Sequence, residues 1–374
     1  METINVKNEA ETENLTEDIL TENAENNEFA DFDDIAEAET EEKEREAQRE
    51  KDAQLPPDPD AILEVRHLKK YFVLKKTLMG KPLSTLKAVD DVSFKVKQGE
   101  TLGIVGESGC GKTTMGRTIL KLYQPTSGQV FFKGTDIAGY KPKEMRPLRT
   151  KMQIVFQDPY SSLPPRSTVG DILSEPVLVH NIVPKEQVKE YVMDLMERCG
   201  LRDYYYERYP HEFSGGQRQR ICIARALITK PDLIIADEPI SALDVSIQAQ
   251  VLNLLNDLRH ELGLTILFIA HDLSVVKYFS ERVAVMNRGR IVEMAPSELL
   301  YQNPVHPYTR SLLSAIPIPN PILEKKRVRF SYDPAMHVYD EQNQPQMIEV
   351  EPGHLVFLSQ KEYQEYLEAK KHEG

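Results

Sequence analysis

Eight consecutive residues, from Gly106 to Thr113, place three glycines, a lysine and a threonine directly after the apolar run TLGIV. Glycines let the backbone curl so that successive N–H groups point at an anion near a helix N-terminus. In the spacing GxxxxGK[ST], the lysine reaches the β- and γ-phosphates of a nucleotide and the threonine holds Mg²⁺. We therefore predict a phosphate-binding loop (P-loop) formed by Gly106, Glu107, Ser108, Gly109, Cys110, Gly111, Lys112, Thr113 and Thr114.

A second apolar run, LIIA, ends in two carboxylates, Asp237 and Glu238. A carboxylate at the end of a buried strand can hold Mg²⁺ through its water shell, so we assign this role to Asp237. Glu238 follows directly and is positioned to polarise an attacking water. The pair predicts ATP hydrolysis with Mg²⁺ as the metal.

The segment FSGGQRQR supplies a second anion site, because Ser214, Gly215, Gly216 and Gln217 open a predicted helix. It resembles the signature motif of ABC ATPases, with Phe213 at the first position. The resemblance implies that this motif closes over ATP held by the opposite subunit. Two nucleotide-binding domains would then form a head-to-tail pair, with ATP bound between them.

Four further residues match positions of the ABC family in chain order. Tyr71 resembles the aromatic residue that stacks on adenine, and Gln157 resembles the Q-loop residue, which contacts Mg²⁺ or water and relays the nucleotide state to membrane subunits. Asp244 matches the loop that contacts the partner subunit. His271 follows what we predict to be an edge strand, and it matches the switch histidine that touches the γ-phosphate and the attacking water.

Short β-like runs before residue 133, followed by alternating helical and apolar strand patterns, predict the elements that position these residues. This alternation is typical of a parallel sheet that is covered on both faces. We predict an α/β P-loop fold of the ABC type over residues 61–300. It comprises a mixed or parallel core sheet, an antiparallel β subdomain and an inserted helical subdomain at about 165–230.

The charge is unevenly distributed. Residues 1–60 contain 22 acidic and 5 basic residues, a net charge of −17, and the remaining residues carry about +4. Such a segment cannot bury enough apolar surface to order itself, so we predict a disordered acidic tail over 1–60. No apolar run approaches the roughly 18–20 residues of a membrane span, and no signal peptide is recognised at the N-terminus. We therefore expect a cytoplasmic protein that reaches the membrane through partners, with Cys110, Cys199 and Cys222 reduced and mostly buried.

The C-terminal residues indicate which class of ABC transporter this chain resembles. The segment NPVHPYTR at 303–310 and the segment EVEPGHLV at 349–356 resemble the C-terminal extension of oligopeptide, dipeptide and nickel importer ATPases. We assign 301–374 to this extension. The resemblance implies import of oligopeptides or dipeptides, with nickel or another small solute as the alternative. It also implies a second ATPase subunit that is a different chain, two transmembrane permeases and an external solute-binding protein, and no nucleic acid.

Other classes of P-loop protein fit the sequence less well. ABC ATPases of translation carry two cassettes, and those of DNA repair interrupt the cassette with a long coiled coil. This chain has one copy of each motif and about 57 residues between Gln157 and Ser214. A regulatory cassette without activity would not need Lys112, Asp237 and Glu238 intact. A P-loop kinase or GTPase would have no role for residues 213–220.

Overall fold

A computed structural model of the 374-residue chain describes residues 51–76, 82–316, 324, 327, 329–337, 339 and 343–373. Residues 1–50, which hold most of the predicted acidic tail, lie outside the described residues. Within the described ranges the strands form two sheets. No helix there is both long enough and apolar enough to cross a membrane.

The smaller sheet is antiparallel and begins the folded body. Its strands are β1 (Ala61–Lys76), β2 (Pro82–Lys97), β4 (Ser127–Phe132) and β5 (Thr135–Asp136), in the spatial order β2-β1-β4-β5. Apolar side chains on one face of β1 and β2, such as Leu63, Val65 and Phe94, are buried against the larger sheet's core. This sheet is the antiparallel β part that we predicted.

The larger sheet carries the chemistry at one edge. Its strands are β3 (Thr101–Val105), β6 (Met152–Val155), β7 (Leu233–Asp237), β8 (Thr265–Ile269), β9 (Arg282–Asn287), β10 (Arg290–Pro296), β11 (Gln346–Glu351) and β12 (His354–Leu358). The spatial order is β11-β12-β10-β9-β3-β8-β7-β6. The five strands from β9 to β6 run parallel to one another, and β10, β12 and β11 are joined to β9 and to each other by antiparallel pairing. The mixed sheet is therefore confirmed.

Helices cover both faces of this sheet. They are α1 (Lys112–Ile119), α2 (Pro142–Leu148), α3 (Pro159–Ser162), α4 (Val169–Val179), α5 (Val188–Arg198), α6 (Gly215–Leu227), α7 (Val245–Leu262), α8 (Leu273–Phe279), α9 (Ser297–Gln302), α10 (Pro307–Ser314) and α11 (Gln360–Glu373). Along β7, Leu233 and Ile235 belong to one buried cluster, and Ile234 and Ala236 belong to the other. This alternation follows from the two-residue period of a strand, so both faces of the sheet are apolar.

The insertion between β6 and β7 is helical. It contains α3 to α6, and the two strands that flank it are neighbours in the sheet. Val177 from α4, Val192 from α5 and Ile223 from α6 share one buried cluster. The helices therefore pack on one another and on the sheet, in the part of the chain where we predicted an inserted subdomain.

The three cysteines are free and buried, as the sequence predicted. Burial raises the pKa of the Cys199 thiol to about 12 and that of Cys222 to about 11. Because the thiolate is the reactive form, both side chains behave as small apolar groups of the core.

Two sequence predictions need correction. β8, the strand before His271, is not at the edge of its sheet, because it pairs with β3 on one side and β7 on the other. The predicted tail also extends too far, because the guanidinium of Arg66 binds the carbonyl oxygens of Asp52, Leu55 and Pro56 at 2.8–2.9 Å. These bonds fix the residues before β1 to the folded body, which composition alone did not indicate.

Candidate functional site

The P-loop connects β3 to α1 in a turn that only glycine can make at two positions. Gly106 has φ +153°, and a Cβ there would lie 2.1 Å from the carbonyl oxygen of Met286. Gly111 has φ +107°, and its Cβ would lie 2.0 Å from the carbonyl oxygen of Ala88. Any larger residue would push the loop away from β9 and β2, so the glycines fix the curl that the sequence predicted.

Lys112 is folded over this loop. Its Nζ donates hydrogen bonds to the carbonyl oxygens of Gly106 at 2.6 Å and Glu107 at 2.9 Å, and the residue is only 4% exposed. These carbonyls hold the ammonium group over the loop, whose predicted ligand is a nucleotide's phosphates. A buried cation beside a curl of N–H groups is suited to binding phosphate oxygens.

Asp237 ends β7 and is bound to the first turn of α1. Thr113 Oγ1 donates to Asp237 Oδ1 at 2.7 Å. Asp237 is 1% exposed, and burial raises the pKa of its carboxyl above the usual range, although the Thr113 bond opposes this. The other oxygen, Oδ2, has no hydrogen-bond partner among the residues that the structure describes, and the guanidinium of Arg117 lies 3.8 Å from it.

The oxygen Oδ2 of Asp237 lets us ask whether the side chains at this position suit Mg²⁺. Mg²⁺ prefers oxygen ligands and usually keeps several waters. A hydroxyl from Thr113, a buried carboxylate from Asp237 and the side-chain amide of Gln157 form such a donor set. A cation there would also offset the cost of burying the Asp237 charge. The residues fit the metal that the sequence predicted.

Three polar side chains meet beside Asp237. Gln157 Nε2 donates to Glu238 Oε2 at 2.9 Å, and His271 Nδ1 lies 3.3 Å from the same oxygen. The Glu238 side chain is 13% exposed and that of His271 is 57% exposed. Gln157 follows β6, Glu238 follows β7 and His271 follows β8. The carboxyl ends of these parallel strands therefore bring the three predicted residues together.

The backbone of Glu238 is strained. Its φ is +46°, in the left-handed region that non-glycine residues rarely adopt. Its N–H donates to the carbonyl oxygen of Ile269 at 2.9 Å, which ties it to the end of β8. Such a conformation costs on the order of 1–3 kcal/mol and persists only where the surroundings impose it. Here it turns the carboxylate towards Gln157 and His271.

Tyr71 is fixed by a charged pair. Its hydroxyl donates to Asp90 Oδ1, and Arg290 binds Asp90 Oδ2 through two nitrogens, at 3.0 and 2.6 Å. Burial tends to raise the pKa of Asp90, but Tyr71 and Arg290 outweigh it and the pKa is lowered. The Asp90 N–H donates to the carbonyl oxygen of Gly289, whose own N–H donates to the carbonyl oxygen of Cys110. The tyrosine is thus linked to the P-loop through two backbone bonds.

The predicted signature residues cap α6 and lie apart from this cluster. Ser214 Oγ accepts from the Gln217 N–H at 3.4 Å, and Gln217 Oε1 accepts from the Ser214 N–H at 3.0 Å, which is a capping box. A Cβ on Gly216 would lie 2.4 Å from Ile247, so glycine permits close packing on α7. Among the described residues, no hydrogen bond or ion pair joins Ser214, Gly215, Gly216 or Gln217 to the P-loop.

Asp244 stands at the N-cap position of α7, before Val245, which is 82% exposed. The loop that we predicted to contact a partner therefore lies at the surface.

Sequence reasoning missed two residues of the site. Arg117 lies near Asp237, and the Tyr308 hydroxyl accepts a hydrogen bond from the Glu107 N–H at 3.1 Å. No local motif signals the second contact, because it joins residues 201 positions apart.

Comparisons with known proteins bear on the family and the fold of this chain. Residues 89–241 match the family described as "ABC transporter", and residues 292–336 match the "Oligopeptide/dipeptide transporter, C-terminal region". The ATP-binding cassette MJ0796, solved as a dimer in a post-hydrolysis state bound to ADP and Pi, has a TM-score of 0.57 at 27% identity. That comparison covers 63% of this chain and 98% of the other. The predicted ABC-type fold is therefore confirmed.

Two relatives are more similar in sequence. The chain is 53% identical over 309 residues to the oligopeptide transport ATP-binding protein OppF of Bacillus subtilis (strain 168), covering 82% of this chain and 99% of that one. It is 53% identical over 269 residues to OppF of Escherichia coli (strain K12), covering 71% of this chain and 80% of that one. With more than half of the aligned residues identical over almost the whole of one relative, the chain belongs to the family of ABC transporter ATP-binding proteins.

Proposed function

We propose that this protein hydrolyses ATP to power the import of oligopeptides by an ABC transporter. The observation that carries the proposal is the shared contact of Gln157 and His271 with one oxygen of Glu238, beside the buried Thr113–Asp237 bond. This cluster can activate a water beside the P-loop and Lys112, which can bind a nucleotide's phosphates. The oligopeptide substrate follows from the relatives' names and from the match of the C-terminal region.

Each residue has a distinct part in the proposed reaction. The P-loop amides and Lys112 bind the β- and γ-phosphates, and Tyr71 supports adenine by stacking. Thr113, Gln157 and Asp237 hold Mg²⁺, which when bound neutralises phosphate charge in the transition state. Glu238 accepts a proton from the attacking water, and the more exposed His271 orients that water and the γ-phosphate. The strained backbone of Glu238 keeps its carboxylate oriented before ATP arrives.

The site needs a second chain to be complete. Within the described ranges, no hydrogen bond or ion pair joins the signature residues to the P-loop of their own molecule, and Asp244 lies at an exposed helix start. We propose that Ser214, Gly215, Gly216 and Gln217 cover ATP held by a partner ATPase, while the partner's signature covers ATP at Lys112. We propose that this partner is a different chain, as the resemblance of the C-terminal extension to importer ATPases implies.

A groove beside the Q-loop offers a place for a permease. It has a volume of about 350 Å³ and is lined by Leu122, Gln153, Pro176, His180 and Arg225, among others. Gln153 lies on β6, the strand that leads to Gln157. A permease segment that enters this groove would touch both the helical insertion and the strand that carries Gln157. We propose that the protein works at the cytoplasmic face of the membrane in a complex with two permeases and an external solute-binding protein, as the resemblance of its C-terminal extension implies.

Uptake by cells tests the transported substrate. Cells that lack this chain are expected to lose uptake of radiolabelled tetra- and pentapeptides and to regain it with the wild-type chain, because ATP hydrolysis supplies the driving force. Lys112→Ala is the matched control, since it should be present in normal amounts without restoring uptake. Nickel uptake measured in the same cells should not change. Loss of nickel uptake with normal peptide uptake would favour the alternative substrate, and no effect on either would indicate an ATPase that is not coupled to transport.

Replacement of the proposed base tests the chemistry. Glu238→Gln should lower hydrolysis in the assembled transporter by about 10²–10⁴-fold, the range for a positioned general base, and ATP binding should persist. Two quantities are measured: the rate of phosphate release and the equilibrium binding of nucleotide. Glu186→Gln, at an exposed position in the helical insertion, makes the same chemical change and should keep normal turnover. Near-normal hydrolysis by Glu238→Gln would exclude this residue as the base.

A bulky charge at the signature tests the head-to-tail arrangement. In a complex with a different partner chain, Ser214→Arg should damage the site whose P-loop belongs to the partner, because the new side chain would lie at its γ-phosphate. The site built on Lys112 should still trap ATP. Site-resolved nucleotide trapping measures both, and Gln187→Arg adds the same side chain at an exposed position as the control. Loss of ATP from the Lys112 site alone would contradict the arrangement.

A further inference from the structure

A chain of buried hydrogen bonds runs from the C-terminal strands to the P-loop. It begins at Glu293 on β10, which is fully buried. Glu293 accepts hydrogen bonds from the N–H groups of Val305 at 2.8 Å and His306 at 3.0 Å, and His354 Nε2 lies 2.7 Å from Oε1. A buried carboxylate is tolerated only where donors surround it, so this side chain fixes the start of α10 against β10 and β12.

The next link orients the first turn of α10. His306 Nδ1 accepts a hydrogen bond from the Tyr308 N–H at 3.1 Å. Burial lowers the pKa of His306 to about 3, so the ring is neutral and one of its nitrogens can accept. Since the side chain caps its own helix, the direction of Tyr308 is set by the Glu293–His306 pair. The ring of Tyr332 packs edge-to-face against Tyr308 with centroids 5.3 Å apart.

Tyr308 completes the link at the P-loop. It is 2% exposed, and its hydroxyl accepts from the Glu107 N–H at 3.1 Å. The carbonyl of the same peptide group, that of Gly106, accepts from Lys112 Nζ at 2.6 Å. A trans peptide group is planar, with its N–H and C=O pointing in opposite directions. The orientation of one end therefore fixes the other, and this peptide is held between Tyr308 and Lys112.

We propose that Tyr308 is a positioning residue of the nucleotide site. It holds the Gly106–Glu107 peptide so that the Gly106 carbonyl keeps Lys112 over the P-loop, ready for the β- and γ-phosphates. The C-terminal region thereby becomes part of the ATP site, and its packing sets the affinity for nucleotide. The proposal rests on the assignment of the P-loop as the ATP site and adds a residue to it.

Removal of one oxygen atom tests the proposal. Tyr308→Phe keeps the ring and its packing, and it should raise the Kd for a fluorescent ATP analogue about 3- to 10-fold in the purified full chain, the usual worth of one hydrogen bond. The thermal unfolding midpoint should stay within about 3 °C, since only one hydrogen bond of a large domain is lost. Tyr332→Phe removes a hydroxyl from the neighbouring ring and should leave the Kd unchanged.

A second readout follows from thermodynamic reciprocity. If Tyr308 affects ATP binding, ATP must stabilise the Tyr308 contact by the same factor. Amide hydrogen exchange at residues 305–310 should therefore slow when ATP is added to the wild-type chain, and this slowing should be lost in Tyr308→Phe. A residue that served only to stabilise the fold would not give an ATP-dependent change. Absence of this protection in the wild-type chain would overturn the proposal even if the variant failed to fold.

Lys112→Ala distinguishes an error in the assignment of the ATP site from an error in the role of Tyr308. If Lys112→Ala abolishes nucleotide binding while Tyr308→Phe binds like the wild type, the P-loop assignment holds and the role of Tyr308 is wrong. Should Lys112→Ala bind nucleotide normally, the ATP site itself is wrong. A raised Kd in Tyr332→Phe equal to that in Tyr308→Phe would also contradict the proposal, because the effect would then come from loosened packing.

Discussion

The hydrogen bond from Thr113 to Asp237 is the contact on which the site depends. It joins the helix after β3 to the end of β7, two strands that are separated in the sheet by β8. The bond can form only because all three strands are parallel and end at one edge. The same constraint delivers Gln157, Glu238 and His271 to that edge from β6, β7 and β8.

Two adjacent carboxylates acquire different roles from their surroundings. Asp237 is 1% exposed, and in the described part of the chain one of its oxygens has no hydrogen-bond partner, which suits a metal. Glu238 faces the opening of the site and shares one oxygen with Gln157 and His271. The left-handed backbone of Glu238 directs its side chain away from that of Asp237. An extended backbone would instead continue the direction of β7. We therefore propose that the local strain helps to separate metal binding by Asp237 from proton transfer by Glu238.

Much of this arrangement could be predicted from the sequence, because short motifs carry it. The glycine spacing before Lys112 and the apolar run before Asp237 each specify a strand end. The sequence did not predict contacts between distant segments. β8 was wrongly predicted to be an edge strand, because the order of strands in a sheet depends on the whole topology and not on local sequence. The sequence around Tyr308 also did not indicate a contact with the P-loop. The bonds from Arg66 that fix residues 52–56 were missed for the same reason. Long-range hydrogen bonds leave no periodic signal in a single sequence.

The most direct test of this account is the effect of Mg²⁺ on ATP affinity in the wild-type chain and in Asp237→Asn. The substitution keeps the size of the side chain and removes the negative charge that we propose binds the metal. Mg²⁺ should raise the affinity of the wild type for ATP, and this increase should be lost in the variant, while metal-free binding stays within about 2-fold. An equal Mg²⁺ effect in both proteins would contradict the central claim that the Thr113–Asp237 pair builds the metal side of the ATP site.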